Sequence, residues 1–150
     1  SGNILFSEGQ SLIRNINPRT GKVTVFAGNS AISPGQITGD NGPLFQAGLG
    51  MVDGLAVDKT GNLFVLCQEI FSQGKPLRFV RRVDAQTKII STIAGNKAPT
   101  PNDRGYKGDG GLATEANLQE STRIVVDKQG NLYIVISGTD FNAIRLVKLS

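Results

Sequence analysis

The chain repeats itself, and the number of repeats is not whole. Gly61–Val65 reads Gly-Asn-Leu-Phe-Val, Gly130–Ile134 reads Gly-Asn-Leu-Tyr-Ile, and a relative, Gly-Asn-Ile-Leu-Phe, stands at Gly2–Phe6. Phe79–Gly95 echoes Leu12–Gly28, and Lys107–Leu118 echoes Thr38–Leu49. Val-Asp-Lys-x-Gly-Asn occurs at Val57–Asn62 and again at Val126–Asn131. Asp58 and Asp127 lie 69 positions apart, Gly28 and Gly95 67. Self-similarity at a fixed spacing marks an array in which one unit cannot bury its apolar faces without a neighbour.

Short apolar runs separated by turn residues give the secondary structure. They predict strands near 3–7, 11–16, 22–27, 53–58, 62–67, 78–84, 88–94, 122–127, 131–137 and 142–149. Asp58–Asn62 and Asp127–Asn131 predict tight antiparallel turns, because Asp can accept bonds from the backbone ahead of it and Gly takes a positive φ without strain. Asn17–Gly21 and Asp84–Lys88 predict a second kind of hairpin. Leu63–Cys67 does not alternate apolar with polar, which suits a strand covered on both faces by neighbouring sheets. No segment has a helical period, and the 19 glycines and absence of Trp agree with an all-β chain.

Composition removes several chemistries. The 150 residues are one domain's worth of chain and include no His, so the commonest general base and metal ligand are missing. Cys67 is the one cysteine, which rules out an internal disulfide and a thiolate zinc site; in its apolar run it reads as a small buried hydrophobe. There is no Cys–His pair and no Gly-x-Ser-x-Gly elbow. No run of about 18 apolar residues offers a membrane-spanning helix. The opening Ser1-Gly2 reads as a processed, excised or tagged start, which leaves the compartment open.

Gly54-Leu55-Ala56-Val57-Asp58, Gly61–Val65, Val80-Arg81-Arg82-Val83-Asp84 and Ser91-Thr92-Ile93-Ala94-Gly95 follow one another in an order that resembles a blade of the NHL-repeat β-propellers. Gly105–Leu118, with Gly108-Asp109-Gly110-Gly111, is similar to the long blade-to-blade connection of the bacterial long-repeat type. The resemblance covers nearly the whole chain. It departs from the family pattern at Val52-Asp53 and Ser121-Thr122, where Pro is usual, and at Arg123, which replaces the Gly kept at Gly54. It implies about 2.5 four-stranded blades, lettered A to D from the innermost strand outward: B-C-D, A-B-C-D and A-B-C. Residues 1–28 form a partial blade, 52–95 a complete one and 121–150 a second partial one, with 29–51 and 96–120 as long inter-blade loops. Such a set cannot close a ring alone. Bacterial long-repeat relatives also imply an extracellular or periplasmic location. Some propeller relatives are lyases that hold a metal with histidines, which this chain does not possess.

Function is therefore sought at the surface. The alternation of strand directions places the long connections, including Gln68–Pro76 and Ser137–Asn142, on one rim, where Phe71, Lys75, Arg78, Lys97, Arg104, Tyr106 and Lys107 are expected to gather. Basic residues among aromatics can contact an acidic polymer, whether nucleic acid or glycan, although a net charge of +4 is no concentrated tract. Arg123, at the start of an inner strand, either faces a central channel or pairs with Glu120. Arg14, Arg81 and Arg145, with Asp58 and Asp127, recur in each unit, which suits a scaffold role such as a charged hydrogen bond tying strands together. Asp40-Asn41-Gly42 and Asp103 with Asp109-Gly110-Gly111 lack the alternating carboxylates of a calcium loop. The sequence thus leads to a non-enzymatic structural or protein-interaction module with no cofactor and no metal. Its expected partners are further blades, other copies of itself or a different subunit. The alternative is a binding module for an acidic polymer on the long-loop rim.

Overall fold

The computed structural model describes residues 2–9, 11–70, 76–97, 107–138 and 142–149, and within them the chain is all-β and antiparallel. Strands β1 (Ile4–Glu8), β2 (Leu12–Ile16) and β3 (Val23–Ala27) form the first sheet. After β4 (Gly42–Pro43) come β5 (Met51–Val57), β6 (Leu63–Glu69), β7 (Leu77–Val83) and β8 (Ile89–Ala94), which with β4 make a five-stranded sheet in the order β4-β8-β7-β6-β5. A single 3-10 turn, Ala113–Glu115, precedes β9 (Ser121–Val126), β10 (Leu132–Ser137) and β11 (Asn142–Val147), the third sheet. The apolar runs predict ten strands, and each is present with its ends within two residues of the expected ones. The eleventh, β4, is two residues inside the connection 29–51 and has no apolar run to announce it. Its Pro43 is tolerable because β4 is the sheet's edge.

Three sheets stack face to face because alternate side chains of the central sheet serve two cores. Leu63, Val65 and Cys67 of β6 pack with Ile13 and Ala27 of the first sheet. Phe64 and Leu66, pointing the other way, pack with Ile124, Leu132, Ile134 and Ile136 of the third. This explains the unbroken apolar run at Leu63–Cys67, all of it buried. The connections contribute as well. Leu44, Ala47 and Leu49 enter the first core, and Ala116 and Leu118 the second. The 29–51 connection is thus an ordered strap with its own strand and an Ile37–Leu49 bridge.

The turns form as their residues dictate. The Asp58 carboxylate accepts from the N–H groups of Thr60 and Asn62, both at 2.9 Å, from the Thr60 hydroxyl at 2.7 Å and from the Asn62 amide at 2.7 Å. Asp127 repeats the pattern with Gln129 and Asn131 and also accepts from the Tyr133 hydroxyl at 3.2 Å. Asn62 reaches further: its Oδ1 accepts from the Ala85 N–H at 2.9 Å, which ties the β5–β6 turn to the β7–β8 turn. Gly28 and Gly95 end β3 and β8 with φ of +96° and +109°. A Cβ there would lie 2.2 Å from the Ser11 carbonyl and 2.5 Å from that of Arg78, so no other residue fits.

Candidate interaction site: two arginine clamps and an open edge

Arg81 projects from the middle of β7 and is completely buried. A buried guanidinium needs acceptors for its five donors, and the strap before the sheet supplies them. Nη1 donates to the Gly48 carbonyl at 2.9 Å and Nη2 to the Thr38 carbonyl at 3.1 Å. Nε and Nη2 donate to Asp40 Oδ1 at 3.1 and 2.8 Å. The Thr92 hydroxyl of β8 donates to both Asp40 oxygens, at 3.0 and 2.8 Å, and Lys97 Nζ to Oδ2 at 2.6 Å. Burial pushes the Asp40 carboxyl up, but the bonds from Lys97 and Thr92 and the charge of Arg81 together outweigh it and hold the pKa below the ordinary carboxylate value. A carboxylate so held stays ionised at neutral pH and fastens the strap to the sheet.

Arg145 repeats the arrangement from β11. Nη1 donates to the Asn117 carbonyl at 2.8 Å, Nη2 to the Lys107 carbonyl at 3.3 Å and Nε to Asp109 Oδ1 at 2.8 Å. Lys107, Asp109 and Asn117 are the repeat equivalents of Thr38, Asp40 and Gly48. Nothing in the described residues stands where Thr92 and Lys97 stand, because β11 is the edge of its sheet. The Asp109 side chain is accordingly 75% exposed, against 21% for Asp40. Between β11 and Gly108–Ala113 runs a groove of about 430 Å³, lined by Ile134, Arg145, Val147, Leu112 and Ala113 among others. Arg14, the third of the series, pairs instead with Glu8 of its own sheet at 2.5 Å.

Arg81 and Arg145 therefore bind the straps, and none of the three arginines binds Asp58 or Asp127, which are engaged by their own turns and, for Asp127, by Tyr133 of β10. Of the rim residues, Phe71, Lys75, Arg104 and Tyr106 lie outside the described residues. Arg78 donates to Gln68 at 2.7 Å and to Asp53 at 3.3 Å, Lys97 is held by Asp40, and Lys107 lends its carbonyl to Arg145. Arg78 and Lys97 belong to separate local networks. Arg123 is exposed on β9 and makes no ion pair with Glu120, whose carboxylate lies against Gly138. Cys67 is buried, and burial pushes its thiol up to about 12. Among the described residues no three of His, Cys, Asp and Glu come together. Asp103 lies outside the described residues; Asp40 and Asp109 bind arginines. The Asp40–Arg81 pair escaped the sequence reading because its members are 41 positions apart. A signal was present: Gly-Asp-x-Gly recurs at Asp40 and Asp109, each ahead of a strand arginine.

Comparison with protein-family models and with curated proteins finds no match. Among solved structures, the chain is similar to a structural genomics protein of unknown function from Bacteroides thetaiotaomicron, with 22% identity and a TM-score of 0.64. The match covers 88% of this chain and 29% of that one, so the chain spans under a third of its neighbour's length. At that identity the likeness concerns the fold alone.

Proposed function

We propose that the chain is a non-enzymatic structural and protein-interaction module, a segment of a β-propeller whose three sheets act as blades. The reading rests on one observation: the central sheet is covered on both faces, and each outer sheet on one. Ile4, Val23 and Val25 of the first sheet, and Val125, Ile144 and Leu146 of the third, are exposed large apolar residues. Each 100 Å² of such surface covered by a neighbour is worth about 2.5 kcal/mol, and exposed apolar patches of this kind mark interfaces. Similarity to part of a longer chain accords with a segment of a larger ring. The two described rim cations best placed to meet an acidic polymer, Arg78 and Lys97, already answer Asp53 and Asp40.

Light scattering tests this reading on the isolated chain. Association with itself or with a supplied propeller fragment is the expected result. A monodisperse monomer that melts cooperatively and takes no partner would overturn it. Retardation of RNA or an acidic polysaccharide that fades with salt would favour the acidic-polymer alternative.

A further inference from the structure

We infer that the rim made by the short turns is a docking face for the surface of an anionic lipid bilayer. It is a second surface, separate from the sheet faces that carry the interaction reading, and either can fail without the other.

Basic residues are expected among the long connections, but the excess charge lies at the other end of the strands. Outside the short turns and the strand ends beside them, basic and acidic residues are equal in number, so the whole net charge of +4 belongs to the short-turn rim. Arg19 and Lys22 stand in the β2–β3 turn, Lys59 in β5–β6, Lys88 in β7–β8, Lys128 in β9–β10 and Lys148 just past β11. All six are exposed, and none has an ion-pair partner among the described residues. The acids of this rim are already committed. Asp58 is held by its own turn, and Asp127 by its turn and Tyr133. Asp84 accepts from the Gln86 and Thr87 N–H groups and from Arg82.

These cations are spread over an area, not along a line. Hydrogen-bonded strands lie about 4.8 Å apart and stacked sheets about 10 Å apart, so turns two strands apart in one sheet and turns of facing sheets both stand about 10 Å from one another. A linear polyanion would follow one row of such a grid. Anionic headgroups, whose charges also fill a plane, meet all of it, and basic residues clustered at one surface are what such a leaflet attracts. Between the central and third sheets a cleft of about 350 Å³ opens among the turns, lined by Lys59, Arg82, Thr60 and Gln129 among others, with room for one headgroup phosphate beside two cations. A single nucleic-acid strand is held by stacking its bases on aromatic side chains, and none of these turns carries an aromatic residue.

Flotation with vesicles of equal parts phosphatidylglycerol and phosphatidylcholine measures binding of the intact chain. Binding is expected in about 50 mM salt, with loss by about 500 mM and none to phosphatidylcholine alone. Lys59→Glu and, in the equivalent turn, Lys128→Glu should each bind about tenfold more weakly, since a reversal removes one attracted charge and adds a repelled one. Arg123→Glu, the same change of net charge on β9 away from the turns, should bind as the parent does. All three positions are exposed, and thermal melts equal to the parent's confirm that the variants fold. No binding to the anionic vesicles, or equal weakening by the turn variants and Arg123→Glu, would overturn the docking face. So would displacement from the vesicles by duplex DNA or polygalacturonate at matched charge, which would assign the rim to a linear polyanion. If the chain associates in light scattering but leaves the vesicles unbound, the docking face falls and the interaction reading stands.

Discussion

Arg81 and Arg145 occupy the same place in two sheets and live in different surroundings. Both draw two backbone carbonyls and an aspartate from the strap that precedes their sheet. Arg81 is sealed by β8, and Asp40 there carries three further bonds from Thr92 and Lys97. Arg145 stands at an edge, with Asp109 facing water. Burial, not the residue pair itself, sets what an ion pair contributes. An exposed pair is screened and adds little, whereas removing one partner of a buried pair strands a charge away from water.

The largest expected effect follows from that difference. Asp40→Ala should lower stability by about 3 kcal/mol, the low end for a broken buried pair because the Thr38 and Gly48 carbonyls stay on the guanidinium. Asp109→Ala should cost at most about 1 kcal/mol. Chemical denaturation of the two variants compares them directly, and equal losses would mean that sealing by β8 does not matter.

A second comparison sets the turns against each other. Asp58→Ala should cost about 1–3 kcal/mol, since it removes the acceptor that closes a tight turn, and Asp127→Ala should lower stability in the same direction. Asn62→Ala should exceed Asn131→Ala by about 1 kcal/mol, because Asn62 also accepts from Ala85. Urea midpoints with unchanged slopes would measure the gap, and a gap of zero would show that the tie between the turns contributes nothing.

The smallest effect is a dependence on acid. In Asp40 and Asp58 burial raises the carboxyl and the hydrogen bonds outweigh it; in Asp84 the Thr87 and Gln86 N–H groups lead, and in Asp127 the Asn131 amide. All four pKa values end below the ordinary one. Between the lowered folded values and the usual unfolded value of about 3.9, the unfolded chain binds more protons, so stability rises with pH there. The contribution is complete above about pH 4 and is lost as pH falls through the folded values. Asp40→Asn should flatten this slope in acid denaturation, and a slope as steep as the parent's would assign the dependence to the turns.

Much of this architecture was legible in the sequence because it is local. The Asp-x-x-Gly-Asn turns, the apolar runs and the doubly covered β6 follow from residues a few positions apart. What was not legible is long-range. Nothing near Arg81 says that its carboxylate lies 41 positions upstream, and nothing in Gly42-Pro43 reads as a strand until β8 is beside it. Of the expected rim residues, those within the described part of the chain carry the same lesson. Arg78 and Lys97 are close in sequence, but each was drawn to an acid from another segment, Asp53 and Asp40.

The straps also set where such a chain can be cut and rejoined. Residues 38–48 precede the central strands but are fastened to Arg81 in their midst. The smallest piece holding a complete clamp therefore runs from about Asn29 to Lys97, and a piece of the strands alone, 52–95, would leave Arg81 buried without its acceptors. Duplication or exchange of a unit keeps guanidinium and carboxylate together when the break falls just after Gly28 or Gly95, two of the glycines whose place no side chain can take. Those glycines are the seams along which new units could be added to the array without opening an old one.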